Sequence, residues 1–177
     1  LCNFNENSQK EKIYLNILAD ERVAGVIIVS ASLESYKSSL YSRILLVLVD
    51  RKVPNLKTDT VILDNGQGVY LAIHHLVQKG HRVISLIGAP SQISVGLERR
   101  RGYEYALKEA GIPINEDLII SGDFKPSSGY TAAMDLIKCT PRPTALFVVN
   151  NLMTQGVLEA IQKLKLNIPQ DISLVCR

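Results

Sequence analysis

Short polar side chains stand directly after the apolar runs of this chain, where they could bind a small polar molecule. Aspartate accepts hydrogen bonds, asparagine both donates and accepts them, and arginine donates through a planar fork that fits hydroxyl and carboxylate groups. We favour ligand contact for Asp50. For Asp64 and Asp123 we weigh it equally against local turn or helix-cap bonding. The positions concerned are Ser30, Asp50-Arg51, Asp64-Asn65, Gly88-Ala89-Pro90, Asp123-Phe124 and Asn150-Asn151.

Alternating apolar strands and helices must position these residues. The strands are apolar on consecutive residues, which is typical of strands buried on both faces of a parallel sheet. Because they alternate with helices, the sequence predicts βαβ units and a doubly wound α/β fold, whose ligands lie outside the carboxyl ends of the strands. Strands are predicted at 26–29, 44–49, 61–63, 83–87, 118–120, 145–149 and 172–175, and helices at 8–22, 32–41, 66–79, 95–110, 128–138 and 152–166.

Helix ends are predicted from local residue types. Ser8 and Glu11 form a capping-box pattern at the first helix, and Ser127 or Ser128 is expected to cap the helix at 128–138. Gly80 is expected to end the helix at 66–79, since glycine adopts the left-handed conformation that follows many helices.

Two further features could contribute to a binding site. Arg99, Arg100 and Arg101 are consecutive on a predicted helix, so they spread around its circumference and at most one or two can reach the strand ends. Phe124 lies in the otherwise polar loop from Gly122 to Pro126. It is either a small-core residue or a stacking surface for a sugar or base.

Motifs for catalysis and cofactor binding are largely missing. Gly66-Gln67-Gly68 does not continue to a third glycine at dinucleotide-binding spacing, and there is no phosphate-binding loop or nucleophile elbow. His74 and His75 are neighbours on a helix and point in different directions, so no metal site is expected. We therefore expect no cofactor. An α/β enzyme with Asp50 or Asp123 as general base ranks last, because no partnered nucleophile accompanies them.

Composition limits the remaining classes. The 177 residues are 46% apolar and 21% charged, which excludes a disordered chain, and they fit one domain or two small lobes. The net charge of +3 is too weak to mark a nucleic-acid surface. The 3 cysteines are far apart, which favours a reducing compartment, and no apolar run reaches the ~20 residues needed to span a membrane.

Six segments, in order and spacing over essentially the whole chain, resemble the effector-binding domain of the LacI/GalR family of bacterial transcription regulators. Each segment alone is a weak indication of the family, but six segments in the same order and spacing are specific to it. They are Leu48-Val49-Asp50-Arg51, residues 75–82 (HLVQKGHR), Arg99-Arg100-Arg101-Gly102-Tyr103, Gly122-Asp123-Phe124 with Ser128-Gly129-Tyr130, Arg142-Pro143-Thr144-Ala145, and residues 168–175 (IPQDISLV).

The resemblance implies a periplasmic-binding-protein-like α/β fold with two doubly wound parallel-sheet lobes. Residues 1–63 would form a partial N-terminal lobe and residues 64–177 the C-terminal lobe. A small effector, a sugar or a nucleobase, would bind between the lobes. The resemblance further implies a cytoplasmic homodimer that binds operator DNA through a helix-turn-helix headpiece absent from this sequence, with no catalytic activity and no membrane partner.

The resemblance also assigns residues. Asp50, Arg99, Phe124 and Asn150 fall on the family's ligand-binding positions, which leaves Arg100 and Arg101 as surface or structural residues.

The chain departs from the family at two places. Asn151 stands where the family has aspartate, and Cys176-Arg177 stand where it has glycine and an aromatic residue before a ligand-contacting aspartate. Because the first lobe would be incomplete, we expect exposed apolar surface on it. A transport-type sugar-binding protein of the same fold is the alternative function, and a small α/β enzyme is the second alternative.

Overall fold

The computed structural model describes residues 1–31, 44–90 and 94–176, and their strands form two separate parallel sheets. The packing of Cα atoms divides the chain into two units. Unit 1 consists mainly of residues 1–63, and unit 2 begins at Asp64. The helix predicted at 32–41 lies outside the described residues.

The described part of unit 1 contains a three-stranded sheet with a helix preceding it. Its elements are α1 (Ser8–Asp20), β1 (Val26–Ile28), β2 (Leu46–Val49) and β3 (Asp59–Val61), and the strand order is β1-β2-β3. The core on one face of the sheet contains Leu15, Ile28, Leu46, Leu48 and Val53.

The described strands of unit 1 are not buried on both faces, which corrects the strand-pattern prediction and agrees with the exposed apolar surface expected on the first lobe. Ile27 and Leu45 are 78% and 79% exposed, whereas Ile28 and Leu48 are buried. Successive side chains of a strand point to opposite faces, so one face packs and the other is open. The third strand lies two residues earlier than the predicted 61–63, because β3 ends at Val61. Ile62 and Leu63 follow the strand and are exposed.

Unit 2 contains a four-stranded parallel sheet between helices. The strand order is β5-β4-β6-β7, and β4 and β6 are buried at every residue, as predicted for central parallel strands. This is the doubly wound α/β arrangement predicted from the sequence. Its elements are α2 (Asn65–Gln78), β4 (Ile84–Gly88), α3 (Ser94–Glu109), a 3-10 turn (Glu116–Leu118), β5 (Ile119–Ser121), α4 (Pro126–Leu136), β6 (Ala145–Val148), α5 (Asn151–Lys163) and β7 (Ser173–Cys176).

Two predicted helix caps are wrong, although α1 begins at Ser8 as predicted, and α4 begins two residues earlier than predicted. The N-cap of α1 is Asn7, whose side chain accepts from the main-chain N–H groups of Gln9 and Lys10, so Ser8 is the first helical residue. Helix α4 begins at Pro126, a residue type favoured at the first helical position, and its N-cap residue Lys125 makes no side-chain cap bond. Ser128 instead lies within the helix.

The predicted end of α2 is confirmed. Gly80 has a φ of 93°. The N–H groups of Gly80 and His81 donate to the carbonyls of Val77 and Leu76 at 3.0 and 3.1 Å, the paired bonds of a Schellman motif.

Helices α4 and α5 pack very closely through two glycines. A Cβ on Gly129 would collide with the main chain of Met153, and a Cβ on Gly156 with the main chain of Pro126. The two helices therefore touch backbone to backbone at this crossing, beside the carboxyl ends of β5 and β6.

Candidate functional site

Arg99 extends from α3 to the end of β6. Its Nη1 donates to the main-chain oxygen of Val149 at 2.9 Å, and its Nε donates to Oδ1 of Asn65 at 3.1 Å. Val149 follows the last residue of β6, and its N–H continues the pairing with β4 by donating to Ile87 at 3.1 Å. The guanidinium of Arg99 is thus attached to the carboxyl edge of the unit 2 sheet.

Asn150 is the N-cap of α5 and the residue after Val149. Its Oδ1 accepts from the N–H of Met153 at 2.9 Å, and its Nδ2 donates to the main-chain oxygen of Phe124 at 3.4 Å. The side chain therefore joins the start of α5 to the loop that follows β5. Asparagine suits this position because its amide accepts on one side and donates on the other.

Phe124 is buried, with 9% of the residue exposed, and its φ is 66°. A non-glycine residue in the left-handed region is uncommon, and for a bulky side chain it costs on the order of 1–3 kcal/mol. The degree of burial fits the small-core interpretation of this loop aromatic, whereas stacking on a ligand stays a prediction.

Asp123 is bonded within its own turn. Its N–H donates to Oγ of Ser128 at 3.1 Å, and its Oδ1 accepts from the N–H of Lys125 at 3.1 Å. Hydrogen bonding from Ser128, and then from Lys125, lowers the pKa of the Asp123 carboxyl. The local-turn interpretation therefore accounts for Asp123, and a lowered pKa is the wrong direction for a general base at neutral pH.

Asp64 also has a local role. It is the N-cap of α2, and its Oδ1 accepts from the N–H of Gln67 at 2.8 Å. Of the two interpretations left open for this residue, helix capping is the one that the geometry supports.

The three arginines of α3 have separate surroundings. Arg100 pairs with Glu104 and Glu116 at 2.6 Å each, and Arg101 is exposed. Among the residues that the structure describes, Arg99 is the one of the three that bonds to a strand end, in agreement with the spread of consecutive residues around a helix.

Asn65 also belongs to this group of residues, and the sequence identified it only as one of the polar residues that follow a predicted strand. It is 1% exposed, accepts from Arg99, and donates from Nδ2 to Oε2 of Glu98 at 3.5 Å. The available signal was its position directly after a predicted strand and beside Asp64. Its partners on α3 are more than thirty positions away, so sequence spacing alone could not identify them.

Asp50, the fourth predicted ligand residue, belongs to unit 1. It follows β2, has a φ of 65°, and its N–H donates to the main-chain oxygen of Val61 at 2.8 Å. Aspartate tolerates the left-handed region better than most residues do. The structure thus groups Arg99, Phe124 and Asn150 at one sheet edge, and places Asp50 at the strand end of the other unit.

Beside Asp50 lies an ionic cluster in which Arg51 and Glu11 are buried and Glu6 is exposed. Nη1 and Nη2 of Arg51 donate to the two carboxylate oxygens of Glu6 at 2.7 and 3.0 Å, and Nη1 also donates to the main-chain oxygen of Ser30 at 2.8 Å. Glu11 is fully buried and accepts from the N–H of Ala31 at 2.8 Å. Burial raises the pKa of the Glu11 carboxyl, an effect that its hydrogen bonds and Arg51 oppose. The cluster ties the loops after β1 and β2 together.

The described ranges contain neither a metal-binding group of side chains nor a membrane-spanning helix. Within residues 1–31, 44–90 and 94–176, no group of three histidine, cysteine, aspartate or glutamate side chains is arranged to hold a metal ion. In the same ranges, no helix is both long and apolar enough to cross a membrane.

Comparisons with known proteins agree on one family for this chain. Residues 73–177 match the model of the periplasmic binding protein-like domain. The HTH-type transcriptional repressor PurR of Photorhabdus laumondii is 38% identical over 179 residues, which cover 99% of this chain and 52% of the repressor. The chain therefore spans about half the length of the curated relatives it matches.

Two solved structures share the fold. A regulatory protein of the LacI family from Chloroflexus aggregans is 26% identical with a TM-score of 0.76, over 94% of this chain and 61% of that one. A transcriptional regulator CelR–cellobiose complex is 28% identical with a TM-score of 0.84, over 96% of this chain and 53% of that one. The parallel sheets agree with these matches. The chain belongs to the periplasmic binding protein-like domain family, in the form of a LacI/GalR effector-binding domain.

Proposed function

We propose that this chain senses a small polar effector on behalf of a transcription regulator of which it forms a part. The effector is a sugar or a nucleobase, and Arg99, Phe124 and Asn150 contact it at the carboxyl edge of the unit 2 sheet. Asp50 is the fourth proposed contact, from the strand end of unit 1. The observation that carries the proposal is the hydrogen-bonded connection from Arg99 through Val149 and Asn150 to Phe124.

The chemistry of these residues suits such a ligand. Arginine supplies several N–H donors, asparagine supplies a donor and an acceptor, and aspartate supplies acceptors for hydroxyl or ring N–H groups. An aromatic ring adds an apolar face on which a sugar or base can stack. Ligands of open parallel sheets bind at the carboxyl ends of the strands, where these residues stand.

The relatives support a regulatory role. The curated relatives are named transcriptional repressors, and one solved relative is a regulator bound to cellobiose. For this protein we propose a regulatory mechanism of this kind. Effector binding changes the affinity for operator DNA of a helix-turn-helix headpiece that lies outside this sequence. We further propose that the regulator is a cytoplasmic homodimer without catalytic activity, since the relatives that support its function are repressors.

Calorimetric titration of the full-length protein tests the proposal. The panel consists of D-ribose, cellobiose, adenine and guanine, which represent the two ligand classes. We expect one of them to bind and to change the affinity for operator DNA. Binding by none of the panel or of related sugars and nucleobases, together with no effect on operator binding, would contradict the proposal.

Arg99→Ala is the matched variant. Loss of a hydrogen bond from a charged donor should weaken effector binding by at least ~1.5 kcal/mol. Arg101→Ala is the control, because Arg101 is exposed on the same helix. Unchanged affinity in Arg99→Ala would reject the assignment of Arg99.

A further inference from the structure

Asn65 stands between two charged side chains that are consecutive on α3. It is the first residue of α2 and only 1% exposed, so its amide needs hydrogen-bond partners within the protein. Its Oδ1 accepts from Nε of Arg99 at 3.1 Å, and its Nδ2 donates to Oε2 of Glu98 at 3.5 Å. A single buried amide thus connects a cation and an anion.

The chemistry of the two partners fixes the orientation of this amide. A guanidinium only donates hydrogen bonds, and an ionised carboxylate only accepts them. The amide oxygen must therefore face Arg99 and the amide nitrogen must face Glu98. Rotation of the amide by half a turn would set donor against donor and acceptor against acceptor.

The same contact fixes the orientation of Arg99. Its Nε is bonded to Asn65 from α2, and its Nη1 is bonded to the carbonyl of Val149 at the end of β6. Acceptors on two different atoms of a planar group define its plane. Because an unrestrained arginine side chain samples many rotamers, a guanidinium held in this way loses less entropy when it binds a ligand.

We infer that Asn65 is a positioning residue for effector binding: it orders the Arg99 guanidinium beside Asn150, and it acts on affinity only through Arg99. This inference rests on the proposed function, in which Arg99 contacts the effector. Asparagine serves better than aspartate here, because an aspartate would compete with an effector for the charge of Arg99 and would repel Glu98.

The first experiment needs no effector. Hydrogen exchange of the Arg99 Nε–H is measured by NMR in the full-length protein, in Asn65→Ala, and in the control Gln67→Ala, whose exposed side chain lies in the same turn of α2. Because the Nε–H loses its acceptor only in Asn65→Ala, we expect its exchange to become at least ~10-fold faster there and to stay unchanged in the control. Equal exchange in all three proteins overturns the inference.

A swapped pair provides a second variant if Asn65→Ala does not fold. In Asn65→Asp/Glu98→Gln, the new carboxylate accepts from Arg99 and the new amide donates to that carboxylate, so each contact keeps one donor and one acceptor. We expect the slow exchange of Arg99 Nε–H to be retained in this pair. Fast exchange in the pair would show that Asn65 does not order Arg99 through its acceptor oxygen.

The second experiment is a double-mutant cycle on affinity for whichever of D-ribose, cellobiose, adenine and guanine binds. We expect Asn65→Ala to weaken binding ~10-fold in the wild-type background, and to have no further effect in the Arg99→Lys background, where Nε–H is missing. An equal loss in both backgrounds, or no loss in the wild type, overturns the inference. If no compound binds the wild type, the proposed function fails, while the exchange experiment still decides whether Asn65 orders Arg99.

Discussion

Asn150 donates its side-chain amide to the main-chain oxygen of Phe124 at 3.4 Å, and accepts from the N–H of Met153 at 2.9 Å. One side chain therefore caps α5 and ties it to the loop after β5. Of the four proposed ligand residues, Arg99, Asn150 and Phe124 belong to one connected arrangement. A substitution at Asn150 should thus affect the helix start and the loop together.

We predict that Asn150→Ala lowers the free energy of unfolding by about 1–2 kcal/mol, because it removes both the cap and the bond to Phe124. Asn150→Ser keeps a hydroxyl that can cap the helix, so it should lose less. Urea unfolding of both variants measures the difference. Equal losses would mean that the cap contributes nothing to the stability of unit 2.

The crossing of α4 and α5 should tolerate no Cβ at Gly156. Gly156→Ala forces the helices apart, because the new methyl group collides with the main chain of Pro126, and we expect a loss of at least ~2 kcal/mol. Gly66→Ala is the control, since its Cβ would meet the carbonyl of Glu98 at an ordinary 3.5 Å. Thermal unfolding should show a lower Tm for Gly156→Ala and a Tm for Gly66→Ala no lower than that of the wild type.

The hydroxyls of Tyr103 and Ser85 are both buried but should behave in opposite ways. The Tyr103 hydroxyl donates to the carbonyl of Ile84 at 2.8 Å, so Tyr103→Phe should cost about 1 kcal/mol. The Ser85 hydroxyl is buried and has no hydrogen-bond partner among the residues that the structure describes. Ser85→Ala should therefore leave the free energy of unfolding unchanged or raise it. Urea unfolding checks both, and a clear loss in Ser85→Ala would show that its hydroxyl is bonded in solution.

Glu11 should make the stability of unit 1 depend on pH. Because burial raises the pKa of this carboxyl in the folded state, folding favours its protonated form. The stabilisation that comes from protonated Glu11 is fully present below the ordinary pKa of glutamate. It is lost as the pH rises through the raised pKa that Glu11 has in the folded state.

Glu11→Gln should remove this loss, so the stability of the variant relative to wild type should increase as the pH rises from acid to neutral. Urea unfolding at a series of pH values measures this difference. Glu21→Gln, an exposed position at the end of α1, is the control and should show no such trend. A constant difference between Glu11→Gln and wild type across the series would contradict the prediction.

The sequence by itself determined the class of fold, because the patterns that mark strands and helix ends lie within short stretches of the chain. Consecutive apolar residues marked β4 and β6 as central strands, and both are buried throughout. Gly80 marked the end of α2, since its left-handed conformation is one that glycine adopts without steric cost. The N-cap of α1 is Asn7 and not the predicted Ser8. Neighbouring polar residues can cap the same N–H groups, and the conformation of the backbone that enters the helix decides which of them does so.

The tertiary structure decided how the candidate site residues are connected. Asp64 and Asp123 proved to be bonded within their own turns, whereas Arg99 reaches Asn65 and Val149 in distant parts of the chain. The roles of Asp50, Arg99, Phe124 and Asn150 in ligand binding stay predictions. The type of a residue determines which hydrogen bonds its side chain is able to make. Which of them it makes depends on the elements that packing brings within about 3 Å, and for Arg99 these are the start of α2 and the end of β6.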